Sequence, residues 1–218
     1  MAEILIVRHG QAAFGTDDYD RLTEQGWRQA QLLGRYFRSV GVTLGSVFMG
    51  SLRRHRETLA GIADAFDTLP DVAVLPGLNE YDFHGLVAEY GRLQQQTIDH
   101  TNTKAFYSSL RAALLAWERR ELQGSETFAE FHQRVLATRD TLAAATGPVL
   151  VVTSGGAASA LAAEVLGADV ATLVNLNLQS RNTGVSRYFC KNGRWSMNQF
   201  NSVPHLDNAE LQHLISYT

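Results

Sequence analysis

An aliphatic run that stops abruptly at a polar turn, written twice in one chain, constrains this fold more than any other feature. Ile4-Leu5-Ile6-Val7 ends in Arg8-His9-Gly10-Gln11, and Val149-Leu150-Val151-Val152 ends in Thr153-Ser154-Gly155-Gly156. Unbroken apolar runs of this length describe strands buried on both faces, as in parallel sheets. Ligands of open α/β sheets bind at the carboxyl ends of such strands. The first run therefore delivers a guanidinium and an imidazole to that edge. Arg can hold phosphoryl oxygens bidentately while a neutral ring nitrogen attacks phosphorus. A strand-end pair that only tethers a loop would look the same. The second run leads through a glycine turn into a helix, Ala157 to Leu166, and such a turn offers backbone N–H groups to an anion.

Between the two runs, Leu22 to Phe37 reads as a helix with Trp27, Ala30, Leu33, Gly34 and Phe37 at helical spacing and Thr23 as its N-cap. Ser46 to Met49 reads as a short strand and Leu52 to Phe66 as a second helix. The first turn of that helix carries Arg53, Arg54, His55 and Arg56, against the helix dipole. An anion would relieve the cluster, although a solvated basic face is the ordinary explanation. Val72 to Leu75 reads as an edge strand, and Pro76 to Gly85 as a loop in which Glu80, Asp82 and His84 are interleaved with apolar residues. Burial there would keep a carboxyl protonated and available as a donor. Leu86 to Glu121 is mostly helical and reads as a cap over one end of the sheet. Thr127 and Glu130 have capping-box spacing and open another long helix, closed by Gly147-Pro148. Asn192-Gly193 sits between two strand-like segments, Thr183 to Cys190 and Trp195 to Phe200, and predicts a hairpin.

The 218 residues suit one domain with a sizeable core, and no linker-like run divides them. A net charge of −3, from 19 basic and 22 acidic residues scattered along the chain, gives no footprint for nucleic acid or an anionic membrane. The single Cys190 excludes an internal disulfide and a Cys-rich metal cluster. With no leader-like N-terminus and no apolar run of spanning length, the expectation is a cytoplasmic protein.

With these residues in view, the sequence resembles the histidine phosphatase superfamily, the phosphoglycerate mutase-like proteins. Val7-Arg8-His9-Gly10-Gln11 is similar to the nucleophile motif. Gly50-Ser51-Leu52-Arg53-Arg54-His55-Arg56-Glu57-Thr58 is similar to the family's Ser-Pro-Leu-x-Arg-Ala-x-Gln-Thr, which places a second phosphate-binding Arg at Arg54. Leu78-Asn79-Glu80 resembles the segment that supplies the proton donor. Asn182-Thr183-Gly184-Val185 and Asn201-Ser202-Val203-Pro204-His205-Leu206 resemble the closing hairpin and tail. The resemblance implies a three-layer α/β/α sandwich with a mostly parallel central sheet, as one domain over 1–218 with a helical cap at about 86–122. It implies a phosphatase acting on a phosphate monoester, with His9 and Glu80 catalytic and Arg8, Arg54, Gln11, Ser154 and Gly155 holding the phosphate. No metal or cofactor is called for, and the expected partner is a phosphorylated small molecule. Substrate identity and oligomeric state stay open.

One departure changes the question. Where the family has Ser-His-Gly-Gly, this chain has Thr153-Ser154-Gly155-Gly156, so Ser154 stands at the position of a second imidazole. Loss of one preorganised donor commonly costs roughly a hundred- to a thousandfold in rate, so weakened activity is expected. Ser154→His should then restore the rate, unless another histidine, His205 or His84, reaches into the space. His55, His100, His132 and His213 have no motif around them and read as structural or solvated. Two rival readings follow from the same departure. A pseudoenzyme would bind a phosphorylated ligand without turnover, and a serine hydrolase would use Ser154 with Asp169 and His205, although Val152 stands where the nucleophile elbow needs Gly.

Overall fold

The computed structural model describes residues 2–16, 18–98 and 102–217, so His100 lies outside the described residues. The two aliphatic runs form adjacent parallel strands at the centre of one sheet, β1 (Ala2–Arg8) and β4 (Val149–Thr153). Completing it are β2 (Ser46–Met49), β3 (Val72–Val74) and the hairpin β5 (Val185–Lys191) and β6 (Arg194–Ser202). The order is β3-β2-β4-β1-β5-β6, with β1 to β4 mutually parallel and the hairpin antiparallel. The hairpin turns at Asn192 and Gly193, both at positive φ as the Asn-Gly pair predicts.

Strand alternation sorts the core into two faces. Leu5, Val7, Leu150 and Val152 pack with Leu33, Phe37, Leu59 and Ile62 of α1 (Glu24–Ser39) and α2 (Arg53–Ala63). Ile4, Ile6, Val149 and Val151 face the remaining helices. These are α3 (Phe83–Leu93), α4 (Thr103–Glu118), α5 (Phe128–Leu136), α6 (Thr138–Ala144), α7 (Gly155–Leu166) and α8 (Val170–Leu178). The result is a three-layer α/β/α sandwich around a mixed sheet. No helix among the described residues is long and apolar enough to cross a membrane.

Two local readings are corrected. The segment expected as a loop to Gly85 is already helical from Phe83, because the Asp82 carboxylate accepts from the Gly85 N–H at 2.9 Å and caps α3. The long helix opened by the Thr127–Glu130 capping box ends at Leu136 and restarts as α6. There the Thr138 hydroxyl donates to the Val135 carbonyl at 2.7 Å and competes with the backbone for it. Helix α8 is an element that the apolar pattern does not announce. Its sequence mixes β-branched residues with Asn and lacks a polar face, and its start is set by Asp169, which accepts from the Thr172 N–H at 2.8 Å.

Candidate active site

Register sets the site. Arg8 pairs with Thr153 across β1 and β4, and the His9 N–H donates to the Thr153 carbonyl at 2.8 Å, so His9 and Ser154 leave the sheet side by side. The backbone of His9 is held from the other side as well. Its carbonyl accepts from the Thr183 N–H at 3.2 Å and from Asn182 Nδ2 at 3.2 Å, and Thr183 sits at φ +54° to reach it. Gly10 is pinned by its N–H to Thr58 Oγ1 at 2.9 Å. A side chain at Gly10 would lie 2.5 Å from the Gly26 carbonyl oxygen, so the turn after His9 admits only glycine.

The His9 ring is buried, and its Nδ1 lies 2.7 Å from the Gly10 carbonyl. That carbonyl can only accept, which puts the proton on Nδ1 and leaves the Nε2 lone pair free. Burial first, then the Arg54 and Arg8 charges, hold its pKa well below the ordinary histidine value. It is a neutral imidazole under the charge of two guanidinium groups. Glu80 shares the cleft with Arg8 and His9, and burial raises its pKa against the Gly156 hydrogen bond and the two arginines. Its Oε2 accepts from the Gly156 N–H at 3.0 Å, and a Cβ at Gly156 would lie 2.2 Å from Oε1. The loop that carries Glu80 is tied to β4 through Thr153 Oγ1, which donates to the Leu78 carbonyl at 2.6 Å.

The arginines are partly engaged. Arg8 Nη1 donates to the carbonyls of Ser180 and Tyr217, while its Nε is buried without a partner. Arg54, 5% exposed, places Nη1 2.7 Å from Asp20 Oδ1, and its Nε is likewise unpartnered. Asp20 also accepts from the Arg53 N–H at 2.8 Å. The basic start of α2 thus meets carboxylates of this chain, with Arg53 also paired to Asp18 at 2.9 Å and to Glu57 at 2.6 Å. Of the predicted phosphate ligands, Arg8 lines the cleft, while Arg54, Ser154, Gly155 and Gln11 stand behind its wall, the Gln11 Oε1 accepting from the Thr23 hydroxyl at 2.8 Å. Gly155 begins α7 directly beneath the site.

Around Ser154 the structure differs from expectation. His205 bonds Thr183 Oγ1 at 2.8 Å, and His84 lies among Phe14, Tyr19 and Phe83, so neither fills the space beside Ser154. Asp169 caps α8, so the serine-hydrolase triad does not assemble. His55, read as structural or solvated, is wholly buried with Nε2 2.7 Å from Ser154 Oγ. Its spacing of four and seven from Leu59 and Ile62 puts it on the buried face of α2, and that periodicity was the available signal.

The outer cleft is lined by Phe14, Tyr19, Phe83, Phe106, Tyr107 and Tyr217. Phe14 meets Phe106 edge-on at 5.2 Å, and the Arg54 guanidinium lies 5.1 Å from the Tyr19 ring centre. Among the described residues, no group of three or more His, Cys, Asp or Glu side chains could hold a metal ion.

Comparison with known proteins places these features in a family. The YhfR protein of Bacillus stearothermophilus superposes with a TM-score of 0.69 at 18% identity, covering 94% of this chain and 99% of that one. The alpha-ribazole phosphatase of Shigella flexneri gives 0.64 at 20% identity, over 92% and 96%. A phosphoserine phosphatase mutant from Entamoeba histolytica gives 0.60 at 18% identity, over 94% and 100%. At these identities the likeness establishes the fold, and no curated protein matches the sequence significantly. The family model for the histidine phosphatase superfamily (branch 1) matches residues 4–203, and this chain belongs to that superfamily.

Proposed function

We propose that this protein is a phosphatase that hydrolyses a phosphate monoester through a phosphohistidine on His9. The observation that carries the reading is the 2.7 Å contact of His9 Nδ1 with the Gly10 carbonyl. With Nδ1–H given to the Gly10 carbonyl, a neutral Nε2 stands beside Arg8 and opposite a carboxyl of raised pKa. Nε2 attacks phosphorus in line and the P–O ester bond breaks, with Glu80 giving its proton to the leaving alkoxide. The free nitrogens of Arg8 and Arg54 take the equatorial oxygens, where charge spreads in the transition state. The Glu80 carboxylate then removes a proton from water as it attacks the phosphohistidine, the P–N bond breaks, and His9 and protonated Glu80 are restored. Phosphate departs. The aromatic wall supports a substrate whose alcohol portion is apolar or aromatic, since flat rings gain contact there that a small polyol would not.

Rapid-quench trapping with a labelled aryl phosphate tests the mechanism. An acid-labile phosphoenzyme mapping to His9, and its loss with all turnover in His9→Ala, is the expected result. Label on Ser154, or turnover surviving in His9→Ala, would overturn it. Aryl and nucleoside phosphates should exceed glycerol phosphate in kcat/KM by about tenfold or more, given what burial of one ring contributes.

A further inference from the structure

A second buried imidazole stands next to His9 with no part in the mechanism above. The His55 and His9 ring centres are 5.9 Å apart, and His55 reaches Ser154 Oγ from α2, across the end of β4. Three independent details show that the chain is built around this contact. Ser154 is the N-cap residue of α7 yet makes no capping hydrogen bond, where Ser normally bonds the helix's own free N–H groups; its hydroxyl turns to His55 instead. Gly50 has no Cβ, and one built there would lie 2.3 Å from His55 Nδ1, so the ring fits only because residue 50 is glycine. The His55 ring is also wholly enclosed, and burial followed by the Arg54 charge lowers its pKa to about 3, so it stands neutral.

Its tautomer follows from its surroundings. Nδ1 is buried with no partner in full hydrogen-bond geometry, and the Gly50 backbone close to it acts on the ring only weakly, after burial and the Arg54 charge. The 2.7 Å contact with Ser154 Oγ is the one full hydrogen bond that the ring makes, and we assign the proton to Nε2 on that contact. His55 then donates to Ser154 Oγ, and the Ser154 hydroxyl keeps its own proton for another acceptor. His9 and Ser154 leave neighbouring strand ends, so that acceptor would lie on the His9 side.

Resting on the phosphatase reading, we propose that His55 is a positioning residue for phosphoryl transfer, acting through Ser154 as a two-residue relay. Ser154 touches the phosphoryl oxygen, and His55 fixes the rotor of its hydroxyl and polarises it. The imidazole that β4 lacks is thus supplied by α2. This reverses the expectation for Ser154→His, because the space beside residue 154 is already filled by a ring.

The test is a swap, read by the rate of phosphoenzyme formation in single turnover and by the affinity for orthovanadate, with thermal melts as the folding control. His55→Ala and Ser154→Ala should each slow phosphorylation and weaken vanadate about ten- to hundredfold, within what one preorganised donor contributes. Ser154→His alone should be impaired by collision. His55→Ala combined with Ser154→His should regain at least tenfold over either single change. A folded His55→Ala with unchanged rate and vanadate affinity would overturn the proposal, as would a gain in Ser154→His alone or a double variant no better than its parents. Should His55→Ala fail to fold, Gly50→Ala displaces the ring without removing it, and an unchanged rate there is equally fatal. Failure of the underlying reading is separable: a wild-type protein that binds vanadate but forms no phosphoenzyme is no phosphatase, while the relay is still judged by the vanadate affinities.

Discussion

The ends of β1 and β4 lie side by side in parallel register, Arg8 opposite Thr153, and they are furnished in opposite ways. β1 carries its chemistry in its own sequence, guanidinium and imidazole on consecutive residues. β4 ends in Thr153, Ser154, Gly155 and Gly156, all buried and all small. What stands at the end of β4 comes from elsewhere, an imidazole from α2 and a carboxyl from the loop after β3, and the small residues are what admit them. A strand end is therefore a location, and the groups that occupy it need only reach it. Each variant below loads one of the two ends or the charge they share.

The largest effect is expected from Glu80→Gln, which removes the proposed proton donor while keeping an acceptor for the Gly156 N–H at the end of β4. The rate of ester cleavage should fall by about 10²- to 10⁴-fold, the usual contribution of a positioned acid. The pH profile carries the sign. Burial raises the Glu80 pKa, so the protonated donor persists above the ordinary carboxylate range and activity is lost as pH rises through the raised value. That alkaline limb should vanish in Glu80→Gln, and substrates with good leaving groups should be much less affected. A variant that loses all substrates alike and keeps its alkaline limb would show that Glu80 is not the acid.

The same contrast explains how much could be read from sequence. The β1 end was legible because its residues are adjacent in the chain and the aliphatic run fixes where they emerge. Arg54 and Glu80 were singled out from the cations and carboxylates around them only by the resemblance, since the residues themselves mark out a basic turn and an acidic loop but no one member of either. His55 was not, because its partner is 99 residues away and its neighbours Arg53 and Arg56 are exposed, which makes the segment look like a solvated basic turn. The sheet and the α1 and α2 faces followed from periodicity. The cut between α5 and α6, the early start of α3 and the whole of α8 depended on single side-chain to backbone bonds, which apolar patterns do not report.

A smaller effect separates support of the β1 end from catalysis. His205 is 6% exposed, holds Thr183, and through it the His9 carbonyl. Burial lowers its pKa to about 3, so the folded protein binds fewer protons than the unfolded chain between the ordinary value near 6.5 and that figure. Stability is accordingly lost as pH falls through that window, by up to about 1.4 kcal/mol per pH unit for one such histidine. His205→Gln, which retains a partner for Thr183, should cost about 1 kcal/mol at pH 7 and give a shallower loss between pH 6 and pH 4 in urea titrations. An unchanged slope would show that His205 titrates normally.

The smallest effect concerns Arg54, which bears on both ends, since its charge lowers the pKa of His9 and of His55 alike. Its Nη1 is held by Asp20, whose side chain is 40% exposed, and an arriving phosphate dianion must share that guanidinium with a carboxylate. Asp20→Asn removes the competing charge while its amide oxygen still accepts from the Arg53 N–H, so α2 keeps its start. Half-exposed pairs contribute under about 1 kcal/mol, which limits the gain in vanadate or phosphate affinity to about two- to fivefold. The gain should shrink as salt is raised, because the removed repulsion is screened. Weaker binding in Asp20→Asn would mean instead that Asp20 orients Arg54 for the phosphate and that the ion pair belongs to the working site.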